Sequence, residues 1–234
     1  MDGDASSPRT FVRRVDLDTL TRTRVDLHRV AEHVVSATLN RESGHVSLQV
    51  VRGGFGTPAF GDDRRITVER DTLVDRSGTA VRVARLTTLS ELARFLGGVA
   101  GSPDPVDHWS TPLDADEPLQ VDQVAADVLA AWFDFGDDAL RRWSDEIAAD
   151  EPSPAKLWPE HFDLAIVAAA VNYGVSPGDA AHARPYLYVG PHGGVPTGDS
   201  FWNTSYGASL AIDEVSSTDD ALAFYRGGRD RLRA

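Results

Sequence analysis

The chain has 234 residues and ordinary globular composition, 41% hydrophobic and 25% charged, enough to bury a substantial core as one large domain or two small ones. Its zero cysteines exclude disulfides, thiolate nucleophiles and cysteine-based zinc or iron–sulfur sites, so any metal must rest on His, Asp, Glu or water. With 23 basic and 36 acidic residues the net charge is −13, and Arg64-Arg65 and Arg141-Arg142 are only pairs beside acids, so no nucleic-acid partner is expected.

The opening MDGDASSPRT is acidic and polar where a secretory leader is basic and then apolar. Residues 1–9 read as a disordered tail. No apolar run approaches the ~20 residues of a membrane-spanning helix. A cytoplasmic protein without a membrane partner is the expectation. Lys156 is the only lysine, and its place in a Pro-rich link disfavours Schiff-base chemistry.

From Thr19 to Asn40, Leu20, Leu27, Val30, Ala31, Val34 and Thr38 recur at helical spacing, with Arg22, Arg24, Glu32 and His33 off that stripe. His28 and Glu32 stand four apart, and a solvated or locally paired state is expected for both. HVSLQVV (45–51), RITVER (65–70), TLVD (72–75) and AVRVARL (80–86) then read as an antiparallel meander. The intervening RGGFGTPAFGDDR reads as a flexible hairpin tip, in which Gly54, Phe55 and Phe60 could cover a pocket. Its G-x-G-x-x-A lacks the helix that a dinucleotide fingerprint needs. A short helix, ELARFLGG, follows a Thr88 or Ser90 cap.

Residues 101–118 form an acidic, Pro-rich connection containing His108 and a Trp109 expected to dock somewhere. A helix begins at Asp122, is read as broken at Gly136, and resumes from an Asp137 cap. Strands are expected at 161–172, 185–190 and about 206–212. Ser217-x-x-Asp220 reads as a capping box for a last helix ending at Gly227-Gly228. This order, without regular β-α-β alternation, predicts an α+β fold with antiparallel sheet and flanking helices. One domain over 10–234 with a shared sheet is expected, built from a helix and meander (19–86), a helical middle (88–149) and C-terminal strands with a helix (157–231).

Two patterns overlap within LWPEHFDLAIVAAAVNYGVSPGD. Gly174-x-Ser176-x-Gly178 matches a nucleophile elbow, but Pro177 and Gly178 deny it the helix such an elbow requires, so Ser-Pro-Gly-Asp reads as a turn. His161-x-Asp163, read as strand, places imidazole and carboxylate on one side. The plain reading is a hydrogen-bonded pair on a half-buried strand. The sharper ones are a base–orienter pair, or two ligands of a divalent iron, zinc or manganese site completed by His182 or His192. Tyr186 and Tyr188 share a strand face, and with Trp202 and Asn203 they could line a pocket for a small molecule.

LWPEHFDLA, G-x-SPGD, PYLYVGP and FWN-x-x-x-GA, with TRVDLHRVAEHV and RGGFGTPAFGDD before them, form a specific combination. By these motifs the chain resembles a family of uncharacterised soluble proteins of high-GC bacteria, from about Thr21 to the last helix. The resemblance implies that the two halves belong to one architecture, and it transfers no catalytic residue. The functional expectation is a protein that binds a small molecule near His161 and Asp163, beside Tyr186, Tyr188 and the Gly-rich loop. The alternatives are a metal-dependent oxidoreductase or a hydrolase using His161 and Asp163, and a non-catalytic protein-interaction module.

Overall fold

A computed structural model describes residues 15–101 and 111–233; the expected tail at 1–9, His108 and Trp109 lie outside the described residues. The chain divides into two compact units. An N-terminal unit holds 15–130 together with Leu157–Phe162, and a C-terminal unit holds Ala131–Lys156 and the chain from Asp163 onward. The strands form two five-stranded antiparallel sheets rather than the expected shared one, and the fold is α+β. No helix among the described residues is long and apolar enough to cross a membrane.

In the N-terminal unit, helix α1 (Leu17–Val30) starts at Asp16, whose carboxylate accepts the Thr19 N–H at 2.9 Å. Its apolar stripe, Leu20, Leu27 and Val30, is buried. The helix continues through a π-helical turn (Ala31–Ser36) into α2 (Ala37–Ser43) and stops at Gly44, in the left-handed region with φ 75°. A π turn carries more residues per turn than an α turn, which rotates the side chains beyond it relative to the 3.6-residue pattern. Glu32 and His33, which that pattern assigns to solvent, are buried because the helix is covered on every side from Arg29 to Leu39.

The first sheet is a simple meander of β1 (Gln49–Val51), β2 (Gly54–Gly56), β3 (Arg65–Glu69), β4 (Thr72–Ser77) and β5 (Ala80–Arg85). The Gly-rich segment corrects the hairpin-tip reading: Gly54-Phe55-Gly56 is a buried strand, paired on one side with β1 and on the other with β3. A Cβ on Gly54 would strike the Val68 carbonyl oxygen, so glycine serves close backbone approach here. Phe55 and Phe60 are core residues. Thr88 caps α3 (Leu89–Phe95) by accepting the Glu91 N–H at 3.2 Å.

Helix α4 (Gln123–Glu146) begins where Asp122 accepts the Ala125 N–H at 2.9 Å, and residues of α4 belong to both units. It runs unbroken through Gly136, where a Cβ would collide with Val175 of the C-terminal sheet. The glycine is a packing notch rather than a stop. The second sheet has the order β10-β9-β8-β7-β6, from β6 (Lys156–Trp158), β7 (Asp163–Ala168), β8 (Val171–Ser176), β9 (Tyr186–Pro191) and β10 (Ala208–Ala211). The expected strand 161–172 is instead a hairpin turning at Ala169 and Ala170, with φ 47° and 60°. The last helix, α5 (Thr218–Arg233), has the expected capping box: Asp220 Oδ2 accepts the Ser217 N–H at 3.1 Å, and Ser217 Oγ accepts the Asp220 N–H at 3.4 Å. This helix also passes through its glycines, and a Cβ on Gly228 would lie 2.9 Å from Val189.

Candidate functional site

Alternation along the C-terminal strands divides the sheet into two faces. Tyr173, Val175 and Val189 face the helices: Tyr173 packs edge-on to Trp143 (5.4 Å) and Tyr225 (5.8 Å), while Val175 meets Gly136 and Val189 meets Gly228. The pairings Gly174↔Tyr188 and Ser176↔Tyr186 therefore put these four on the opposite face. Asp163, one residue before the Leu164 that pairs with Val175, joins them.

On that face the Tyr188 ring lies across Gly174, and its hydroxyl donates to Asp163 Oδ2. Loss of water around the Tyr188 phenol, then the charge and hydrogen bond of Asp163, push its pKa well above the ordinary value. Beside it, Tyr186 donates to Asp179 Oδ2 at 2.6 Å. Asp179 Oδ1 accepts the N–H groups of Ala181 (2.7 Å) and His182 (2.6 Å). Burial opposes the charge on Asp179, but the Tyr186 hydroxyl and these two N–H groups outweigh it and hold the carboxyl below its usual range. Burial, then the bond to Asp179, raises the Tyr186 phenol.

His182 completes the edge of the cluster. Its Nδ1 lies 3.6 Å from Asp179 Oδ1, and its ring sits 5.0 Å from Tyr186 and 6.4 Å from Tyr206. Tyr206 is also edge-on to Tyr188 at 6.4 Å. The cluster thus has a buried base in Tyr186, Ser176 and Asp163, a half-buried Tyr188, and an open rim in Asp179, His182 and Tyr206.

The other expected site residues fall elsewhere. His161 is exposed on the turn before β7, where the Phe162 N–H bonds the Trp158 carbonyl at 2.7 Å. Phe162 has φ 53°, which breaks the extended path, so His161 and Asp163 do not share a strand face. That corrects the alternation from which the pair was read. Trp202 packs edge-on against Phe201 at 5.0 Å, and Asn203 uses both ends of its amide on the Ser209 backbone, at 2.8 and 3.0 Å. Gly54 and Phe55 lie in β2 of the N-terminal unit, with Phe55 edge-on to Phe162 at 5.2 Å. Ser176 ends β8 with no helix after it, and its Oγ accepts the Gly178 N–H at 3.2 Å, as the turn reading of G-x-S-x-G anticipates. His192 is exposed and lies 3.0 Å from Asn172 Oδ1.

A second polar cluster, in the N-terminal unit, was missed by the helical pattern. Glu32, 0% exposed, accepts the Thr111 N–H at 3.0 Å and the Thr111 hydroxyl. His33 Nε2 lies 3.1 Å from the Thr111 carbonyl oxygen and 3.6 Å from Glu32 Oε2. His28 Nε2 lies 2.7 Å from the Pro159 carbonyl oxygen, and the ring stacks on Phe162 at 5.2 Å. These contacts tie the π turn, Thr111 and the 159–162 turn together, a structural role for buried polar groups. Among the described residues no group of three or more His, Asp or Glu side chains is arranged to hold a metal ion.

No protein-family model, curated protein or solved structure matches the chain. Within the candidate site, Asp179 and Tyr206 were not singled out by sequence. The available signal was Asp179-x-x-His182 directly after the turn, together with an aromatic near the start of the last strand.

Proposed function

We propose that the C-terminal unit binds a small organic molecule on the tyrosine–histidine face beside the 176–182 turn. The observation that carries this reading is Tyr206, 38% exposed yet set edge-on to both Tyr188 and His182. Aromatic side chains offer a large contact area at low entropic cost, and a ring that stands partly open beside buried ones gives a flat solute a surface to stack on. Asp179, held ionised by three donors, supplies a fixed negative charge at the rim. A net charge of −13 adds a field that draws cations. A flat molecule bearing a cationic or N–H donor group suits this arrangement.

Screening flat amines and protonated heterocycles by thermal shift tests the reading. Binders should lose about tenfold or more in affinity in Tyr206→Ala and in Asp179→Asn, with circular dichroism unchanged. Binders that both variants retain at full affinity would sink it. The 3.6 Å approach of Asp179 to His182 Nδ1 favours a second reading, in which His182 moves a proton on the bound molecule and Asp179 orients it. His182→Gln should then abolish turnover of such a molecule while sparing its binding.

A further inference from the structure

A cleft of about 320 Å³ in the N-terminal unit, walled by α1 and by residues 112–120, belongs to neither cluster. Its volume is at the lower end of the range for small-molecule sites. Val25, Pro112 and Pro118 give it apolar walls. Arg29 lines it as well, with a side chain only 6% exposed.

The guanidinium of Arg29 has three kinds of partner. Nη1 bonds Asp26 Oδ1 at 2.9 Å, Nη2 donates to the Asp114 carbonyl oxygen at 2.6 Å, and Glu117 Oε2 lies 3.2 Å from Nη1. Nε has no hydrogen-bond acceptor among the described residues. Asp26 is a permanent partner, because its other oxygen accepts the Gln120 N–H at 2.6 Å. Glu117 is not: its side chain is 55% exposed, and its single contact with the buried cation is the longest of the set. A buried arginine donor without an acceptor, in an apolar cleft, beside a detachable carboxylate, is the arrangement of an anion site occupied by the chain's own side chain.

We infer that this cleft takes a small organic carboxylate, which displaces Glu117 from Nη1 of Arg29 and rests its apolar body on Val25, Pro112 and Pro118. Once Glu117 swings into solvent, Arg22 and Arg29 stand against Asp26 and Asp114, and an incoming carboxylate restores the charge that Glu117 carried. The site is independent of the tyrosine face, and its test does not touch that reading.

The probe is benzoate, titrated calorimetrically into the intact chain, with benzamide as the uncharged isostere. Benzoate should bind at least about tenfold more tightly than benzamide, because only the carboxylate makes charge-assisted bonds to Arg29. Glu117→Ala should tighten benzoate binding several-fold, since removing an internal competitor raises the population of the open site. A purely structural Glu117 gives no such gain. Val25→Asp, on the exposed side of α1, should abolish binding in both backgrounds. Equal binding of benzoate and benzamide, unchanged or weaker binding in Glu117→Ala, or full affinity in Val25→Asp would each overturn the inference.

Discussion

Tyr188 on β9 donates its hydroxyl to Asp163 on β7, and its ring crosses the strand between them directly over Gly174. Three strands are thereby tied on one face by a single side chain. The crossing exists only because position 174 carries no Cβ, which would lie 2.5 Å from the ring. Gly174→Ala should therefore destabilise the C-terminal unit by about 2 kcal/mol, the scale of overpacking in a formed core. Denaturant unfolding measures this. A double-mutant cycle with Tyr188→Leu should recover about 1 kcal/mol or more, because the clash needs both partners.

The tyrosines predict an alkaline response. Tyr173 is raised to about 12 by burial, and Tyr186, Tyr188, Tyr206 and Tyr225 are also raised, burial being the first cause in each. A phenol neutral in the folded state and free to ionise when unfolded adds stability fully present below its unfolded value of 10.0 and lost as pH rises above it. Spectrophotometric titration should show the tyrosinate absorbance of Tyr173, Tyr186 and Tyr225 appearing only as the chain unfolds. Ionisation of all five phenols near pH 10.0 with the fold intact would contradict the described packing.

His33 predicts the acid response of the other unit. Burial lowers its pKa from 6.5, against the opposing pull of the Thr111 carbonyl and Glu32. The unfolded chain then binds a proton more readily than the folded one, so stability is full above pH 6.5 and falls as pH drops towards the depressed folded value. The unfolding midpoint of His33→Gln should depend less steeply on pH across that window than that of the parent.

The β7–β8 turn holds Ala169 and Ala170 at φ 47° and 60°, where alanine is disfavoured. Both residues are exposed, so replacement disturbs no core packing. Ala169→Asn with Ala170→Gly should raise stability by about 1 kcal/mol, the gain expected when residues suited to positive φ occupy such a turn. Thermal melts of the double variant check this.

The same positions explain what the sequence makes legible. Apolar spacing marks α1 well, since Leu20, Leu27 and Val30 face the core through ordinary helical geometry. It misplaces Glu32 and His33, because the helix is covered on every side from Arg29 to Leu39 and polar residues off the stripe are buried with the rest. Glycines mislead for one physical reason: the letter does not say whether the position needs positive φ or a missing Cβ. Gly136 and Gly228 read as helix stops, and Gly54 and Gly56 as a flexible tip, yet all four admit a neighbour's atoms. Ala169-Ala170 hides a turn for the converse reason, having none of the usual turn residues. The tyrosine face was visible in Tyr186-x-Tyr188. Its partners Asp163 and Asp179 became assignable only with strand register and the turn in place.

The most direct test of the tyrosine–histidine face is amide chemical-shift mapping of the isotopically labelled chain with a flat amine found by thermal shift. The account predicts saturable shifts centred on Asp179, Ala181, His182 and Tyr206. Shifts that leave these four residues unmoved, while binding is plainly detected, would contradict it.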